Sequence, residues 1–322
     1  MDGVVLLADP NSRAWNFAKK IQDHILTEKN VAELPLESVS LSQFKNKETK
    51  VSDLGNMRKK EVYFIHDSTK YPQDWLVELL FLKDALLRAS AESVIFVLPD
   101  LLYSRQDRKD KPHVPISASA VASVISPGLS RLITMDLHAE QVQGFYPQTC
   151  PVDSLQSFPE VKKYLEKNPL CDLENLVLVS PDVGGSKRAK AFLQKLKIKN
   201  PIAIIYKERS EPGKVEEMTL VGKVKGKDVF IVDDIIDSGG TLCEAAKLLK
   251  ENGAKNLYCY GTHGIFTKGT EELHANFGRI LTSNTHYRNE GELSDIEIVD
   301  MSPTFAEAIY RAHKGESISE LF

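Results

Sequence analysis

At 322 residues the chain has the length of two ordinary domains, each able to bury a core without disulfides or structural metals. Hydrophobic residues at 42% and charged residues at 27% lie near the soluble globular average and exclude a fibrous, disordered or membrane-embedded chain. Lys plus Arg number 41 against 45 Asp plus Glu, so a net charge of -4 supplies no general field for nucleic acid, and phosphate chemistry must come from local clusters.

No apolar run approaches the roughly 18–20 residues that span a bilayer. The amino terminus, Met1-Asp2-Gly3 followed by an apolar run from Val4, reads as a first strand rather than a secretory leader. Cys150, Cys171, Cys243 and Cys259 form no C-x-x-C pair and are expected as reduced core thiols of a cytoplasmic protein.

In chain order the pattern predicts strand 4–7, helix 12–26, strand 62–65, helix 74–89, strand 94–98, helix 117–124 and strand 132–135. Helix 159–166, strand 176–179, helix 186–196, strands 202–206 and 229–232, and helix 240–252 follow. Strands 257–261, 279–282 and 296–300 and helix 304–313 complete it. Such alternation is the signature of α/β units with a parallel sheet. In the segment 240–253, Leu242, Ala245, Ala246 and Leu249 recur at helical spacing and Gly253 offers a left-handed stop. Residues 45–60 are polar and lysine-rich and read as a solvated surface segment. Four prolines between positions 147 and 169 mark the interdomain connection, giving domains 1–155 and 156–322 with the boundary near Gln156. The final helix, though in the second stretch, is expected to be able to pack on the N-terminal domain.

The most informative segment is VFIVDDIIDSGGT, residues 229–241, in which an apolar strand runs into acids and then into small residues that open a helix. Asp233 and Asp234 would project into the crevice where open α/β sheets bind small molecules. Carboxylates there suit sugar hydroxyls or a cation. Ser238, Gly239, Gly240 and Thr241 would offer successive main-chain amides to one phosphate at a helix N-terminus. Glycines before a helix are common for backbone reasons alone, but three aspartates in five residues beside an apolar strand are costly to bury without a ligand, metal or basic partner. The string also fits D-D-x-x-D of helical prenyl-diphosphate enzymes, which the β-branched lead-in excludes. Neither G-x-x-x-x-G-K-[ST] nor G-x-G-x-x-G occurs, which disfavours a P-loop kinase and a Rossmann dehydrogenase.

VDDIIDSGGT resembles the phosphoribosyl-pyrophosphate loop of type I phosphoribosyltransferase folds, shared by base transferases and by the synthetases that make phosphoribosyl pyrophosphate. Residues 103–111, YSRQDRKDK, concentrate Arg105, Arg108, Lys109 and Lys111 after a strand, where guanidinium groups suit bidentate phosphate contact. RQDRK, with Pro115-Ile116-Ser117 downstream, is similar to the synthetase family, as is MDLHAEQVQGF at 135–145. This family is ribose-phosphate pyrophosphokinase. The resemblance implies two type I phosphoribosyltransferase-like domains, each with a mainly parallel sheet flanked by helices, the first binding ATP and the second ribose 5-phosphate.

Residue by residue, the resemblance implies ATP contacts from Phe44, Glu48, Arg105, Gln106, Asp107, Arg108 and His138. It implies ribose-5-phosphate contacts from Asp233, Asp234, Asp237, Ser238, Gly239, Gly240 and Thr241. Mg2+ would be met by His138 and by Asp182 of Ser180-Pro181-Asp182-Val183-Gly184-Gly185, although magnesium prefers oxygen ligands and an outer-shell or phosphate contact suits His138 better. Catalytic Lys207 and Arg209 match the family's basic loop in KERSEPGKVEEM, residues 207–218, expected to be mobile. Glu208 between them replaces a residue that is often basic, and Asn46 and Lys47 replace the Asp and Gly of the usual Phe-x-Asp-Gly-Glu turn. In phosphate-activated members a Ser-Arg pair stands near the place of His113-Val114, so the resemblance does not by itself imply phosphate activation or ADP inhibition.

ESISELF at 316–322 is similar to the family's carboxyl terminus. The partners implied are ATP and ribose 5-phosphate, with no nucleic acid and no membrane, in a dimer-based homo-oligomer extending to a hexamer. The expected reaction moves the diphosphoryl group of Mg-ATP to the C1 hydroxyl of ribose 5-phosphate for nucleotide biosynthesis. The alternatives are a base phosphoribosyltransferase and an inactive, synthetase-associated regulatory protein.

Overall fold

The computed structural model describes residues 1–208, 217–288 and 291–321. The chain divides into two units, one of Met1–Gln156, Thr285–Asn289 and Met301–Phe322, the other of Ser157–Asn284 and Glu290–Asp300.

In the first unit the elements run β1 (Val4–Ala8), α1 (Ala14–Glu28), β2 (Leu36–Ser38), β3 (Ser40–Gln43), β4 (Thr49–Ser52), β5 (Glu61–Ile65), α2 (Pro72–Arg88), β6 (Ser93–Val97), α3 (Ser117–Ile125), β7 (Arg131–Met135) and β8 (Val152–Leu155). Six strands form one sheet in the order β2-β1-β5-β6-β7-β8, parallel throughout. Every residue of β1 is buried, as an apolar run covered on both faces requires. The α2 helix opens on Pro72, whose fixed φ suits a first helical position, and Asp74 complements the helix dipole. Its Trp75, Leu79, Leu82 and Leu86 pack with Val62, Phe64, Val94 and Phe96 of the sheet in one core.

Two expectations change here. The lysine-rich stretch 45–60 is not wholly a solvated coil: it contains β4, paired antiparallel with β3, and the fully buried Met57. The proline-interrupted stretch 147–169 contains β8, the edge strand beside β7. Both strands have only four residues, too few for a period to register.

The second unit runs α4 (Phe158–Lys167), β9 (Leu176–Ser180), α5 (Ser186–Leu196), β10 (Ala203–Glu208), β11 (Glu217–Val221), β12 (Asp228–Ile236), α6 (Gly240–Glu251), β13 (Leu257–Gly264), α7 (Glu271–His274), β14 (Arg279–Ser283) and β15 (Glu297–Val299). Its sheet has the order β11-β10-β9-β12-β13-β14-β15, and among these pairs only β10 with β11 is antiparallel. Leu242, Ala245, Ala246 and Leu249 of α6 are buried against this sheet, and Gly253 takes φ +79° just past the helix end. The last helix, α8 (Ser302–Lys314), belongs to the first unit, where Phe305 packs edge-on against Phe17 of α1. Among the described residues no helix is long and apolar enough to cross a membrane.

Candidate functional site

The acidic loop of the second unit grows out of β12, which runs on through both acids to Ile236 rather than stopping at Val232. Pairing with β13 persists through Asp233 opposite Gly261, Ile235 opposite His263 and Ile236 opposite Gly264. A Cβ on Gly261 would stand 2.3 Å from Ile236 Cγ1, so the partner strand must carry glycine there. Beyond Ile236, Asp237 is fixed twice by Thr267: its carbonyl accepts from the Thr267 amide at 3.0 Å and its Oδ1 from the Thr267 hydroxyl at 2.8 Å. Gly239 then turns the chain at φ +77°, with Leu273 3.1 Å from where a Cβ would lie. Gly240 opens α6, its N–H reaching Ser238 Oγ at only 3.5 Å, so this amide is weakly engaged. Weakly engaged N–H groups at a positive helix end suit an anion.

Asp233 and Asp234 stand beside that turn with side chains 17% and 8% exposed. The Asp234 N–H donates to Asp233 Oδ1 at 2.9 Å. Arg188 of α5 reaches across with Nη1 3.0 Å from Asp234 Oδ1 and 4.0 Å from Asp233 Oδ1. Burial, then the charge of Asp234 and a hydrogen bond with it, push the Asp233 carboxyl well above the usual carboxylate range, with Arg188 opposing and Asp182 adding to the rise. Asp182 itself is exposed in the β9–α5 turn, where Oδ1 accepts from the Gly185 N–H at 2.7 Å. Asp182, Asp233 and Asp234 are thus one electrostatic group. Arg188 is the member that the sequence reading did not single out. Its signal was its position: a basic residue in a helix's first turn, where none of the residues is acidic, runs against the dipole.

The basic loop of the first unit follows β6. Arg105 and Arg108 are exposed, while Gln106 and Asp107 are half-buried. Gln106 is held at both ends of its residue: its Oε1 accepts from Ser117 Oγ at 2.5 Å and its carbonyl from the Ala118 N–H at 3.1 Å. Asp107 Oδ2 accepts from Gln141 Nε2 at 2.5 Å, and Gln141 lies on the 3-10 helix Glu140–Phe145 just after the exposed His138. The loop and the His138 segment are therefore joined. Phe44 and Glu48 sit at the tip of the β3–β4 hairpin, closed by Phe44 N–H to Glu48 O at 2.8 Å. Lys47 takes φ +72° in that turn, so the left-handed conformation persists without glycine. Phe44 is 52% exposed, with Lys50 Nζ 5.8 Å from its ring centroid.

These two groups lie on separate units. Lys207 is described through its main chain, which pairs with Met218 at the end of β10, and Arg209 lies outside the described residues. Among the described residues no group of three His, Cys, Asp or Glu side chains is placed to hold a metal ion. A single exposed carboxylate such as that of Asp182 could meet a cation that keeps other oxygen ligands, as magnesium commonly does, and could not cage one by itself.

Comparison with known proteins gives two domain matches: the N-terminal domain of ribose phosphate pyrophosphokinase over residues 10–127, and the phosphoribosyl transferase domain over residues 155–289. Ribose-phosphate pyrophosphokinase 4 of Saccharomyces cerevisiae is 42% identical over 294 residues, covering 90% of this chain and 88% of the relative. Ribose-phosphate pyrophosphokinase of Cereibacter sphaeroides is 38% identical over 311 residues, covering 95% and 91%. The crystal structure of phosphoribosylpyrophosphate synthetase from Mycobacterium smegmatis superposes with a TM-score of 0.84 at 29% identity, over 98% of this chain and 100% of that one.

Proposed function

Because the chain belongs to the ribose-phosphate pyrophosphokinase family, we propose that it transfers the β,γ-diphosphoryl group of ATP to the C1 hydroxyl of ribose 5-phosphate, giving 5-phosphoribosyl 1-pyrophosphate and AMP. The observation that carries this reading is the turn from Asp237 to Thr241, with Gly239 at φ +77° and a weakly engaged Gly240 amide beside the buried Asp234 and half-buried Asp233. That arrangement suits a sugar bearing one phosphate: amides take the phosphate and carboxylates take the ring hydroxyls.

In the reaction a bond forms between the sugar O1 and the β-phosphorus, and the bond from the α,β-bridging oxygen to that phosphorus breaks. The bridging oxygen leaves with AMP and the hydroxyl proton passes to solvent. Phosphoryl-type transfer needs alignment and charge stabilisation more than covalent help. Arg105, Gln106, Asp107 and Arg108 bind ATP, with Phe44 and Glu48 on the adenine. Lys207 and Arg209 offset the charge that develops on the transferring group. Asp182 would hold Mg2+ through its carboxylate, and His138 would act on a phosphate or through an outer-shell contact. When bound, the ion neutralises phosphate charge. The same reading places the enzyme in the cytoplasm as a dimer-based homo-oligomer, in keeping with the buried free thiols of Cys150, Cys243 and Cys259.

The test is an assay of the purified full-length chain with ATP, ribose 5-phosphate and Mg2+, following AMP and phosphoribosyl pyrophosphate together. Equimolar appearance of both is expected. Release of pyrophosphate from phosphoribosyl pyrophosphate and a base, without AMP formation, would replace this reading with a base phosphoribosyltransferase. No turnover in either direction would leave a regulatory protein.

A further inference from the structure

We infer that Arg188 is a positioning residue for the sugar subsite, holding the Asp233–Asp234 pair in the orientation that receives the ribose hydroxyls. This rests on the proposed reaction and deepens it. Three observations carry the inference. Arg188 is the third residue of α5, and the first turn holds Lys187 beside it and no acid, a placement that costs helix stability and therefore needs another reason. Its side chain is only 15% exposed and spans from that turn to the end of β12, with one Nη1 within 3.0 Å of Asp234 Oδ1 and 4.0 Å of Asp233 Oδ1. Asp233 is meanwhile pinned by the Asp234 main-chain N–H at 2.9 Å, so fixing Asp234 fixes both carboxylates.

Arg188 is the group that opposes the upward push of burial, Asp234 and Asp182 on the Asp233 carboxyl, so without the guanidinium the pair loses both its hydrogen-bonded anchor at Asp234 and the charge that favours its ionised, hydroxyl-accepting form. The pair would then no longer be held in the one orientation that matches vicinal hydroxyls. Arg188 lies on the sugar side of the chemistry, so its loss should weaken one substrate and spare the other. A lysine ammonium could stand where Nη1 stands, but it lacks the planar guanidinium whose fixed geometry sets the approach to Asp234, so it replaces the charge more fully than the orientation.

The test is steady-state kinetics of AMP formation by the full-length chain carrying Arg188→Gln or Arg188→Lys, with thermal unfolding measured alongside. For Arg188→Gln the KM for ribose 5-phosphate should rise about 10- to 100-fold, with kcat and the KM for ATP within about threefold of wild type. Arg188→Lys should recover part of the KM but not all of it. A merely structural role would lower the unfolding temperature and kcat while leaving the KM for ribose 5-phosphate in place. An unchanged KM in both variants overturns the inference. So does a fall in kcat alone, which would move Arg188 to the transferring group. Should Arg188→Gln fail to fold, the KM ratio of Arg188→Lys decides in the same way. Absence of AMP formation by the wild-type chain would instead remove the proposed reaction itself.

Discussion

Gln141 donates its side-chain amide to Asp107 Oδ2 at 2.5 Å, tying the basic loop to the segment that carries His138 across 34 positions of sequence. The bond is exposed, so its net contribution to stability is small, on the order of 1 kcal/mol. Its effect should fall on geometry instead. Replacement by Gln141→Leu releases Asp107, and with it Arg105 and Arg108, from a fixed relation to His138. The expected outcome is a KM for ATP raised about fivefold with the KM for ribose 5-phosphate unchanged, read by varying each substrate separately. Equal changes in both constants would refute the positioning role.

The two glycines of the acidic turn should respond differently to alanine. At Gly239 the φ of +77° strains any side chain, and Leu273 already stands 3.1 Å from the new Cβ. Gly239→Ala should therefore cost about 1–3 kcal/mol, seen as a lower unfolding temperature. Gly240 has ordinary helical backbone, and its Cβ would meet nothing closer than Ser238 Oγ at 3.7 Å. Gly240→Ala should keep full stability, gaining up to about 1 kcal/mol of helix propensity, yet raise the KM for ribose 5-phosphate because a methyl group holds the phosphate off the amide. Unaltered binding by Gly240→Ala would mean that no phosphate rests there.

What the sequence made legible divides along physical lines. Strands such as β1 and β12 are apolar runs buried on both faces, and α6 shows its buried stripe in Leu242, Ala245, Ala246 and Leu249. Their signals are local. The strands that escaped, among them β2, β3, β4 and β8, have only three or four residues, and partnership rather than pattern makes them strands. The acids of the 229–241 segment were visible because carboxylates beside an apolar strand are chemically anomalous. Arg188 escaped because its partners, Asp233 and Asp234, lie 45 and 46 positions away and only the fold brings them together. Lys207 and Arg209 rest on resemblance, and their contribution is a matter for kinetics.

For those two the expected outcome follows from their proposed work. A guanidinium aimed at charge that develops only during transfer stabilises the transition state more than the bound substrates. Arg209→Ala should reduce kcat by about 100- to 1,000-fold with little change in either KM, and single-turnover AMP formation should slow equally. Near-normal turnover would refute the role, and a KM effect alone would make Arg209 a binding residue.

The clamp around Arg279 makes a prediction in pH. Arg279 donates from Nε to Glu297 Oε1 at 2.5 Å and from Nη2 to Oε2 at 2.6 Å, and Nη1 reaches the Pro169 carbonyl at 2.8 Å. It thereby staples the chain after α4 to the edge of the sheet formed by β14 and β15. The hydrogen bonds from Arg279 hold the Glu297 carboxyl below its ordinary value of 4.5, with burial opposing and Tyr164, whose hydroxyl donates to Oε2 at 2.9 Å, assisting. A carboxyl lowered in the folded state adds stability that is present above its unfolded value and lost as the pH falls through the folded one. Side chains 25% and 27% exposed are screened by water, so the pair itself contributes about 1 kcal/mol. Arg279→Gln should therefore lower stability by about 1–2 kcal/mol at pH 7, including the lost carbonyl contacts, and the gap from wild type should narrow as the pH is taken below 4.5. Denaturant unfolding at pH 7 and pH 3.5 measures both. A gap that stays constant across that range would show that the carbonyl contacts alone hold the clamp and that Glu297 adds nothing.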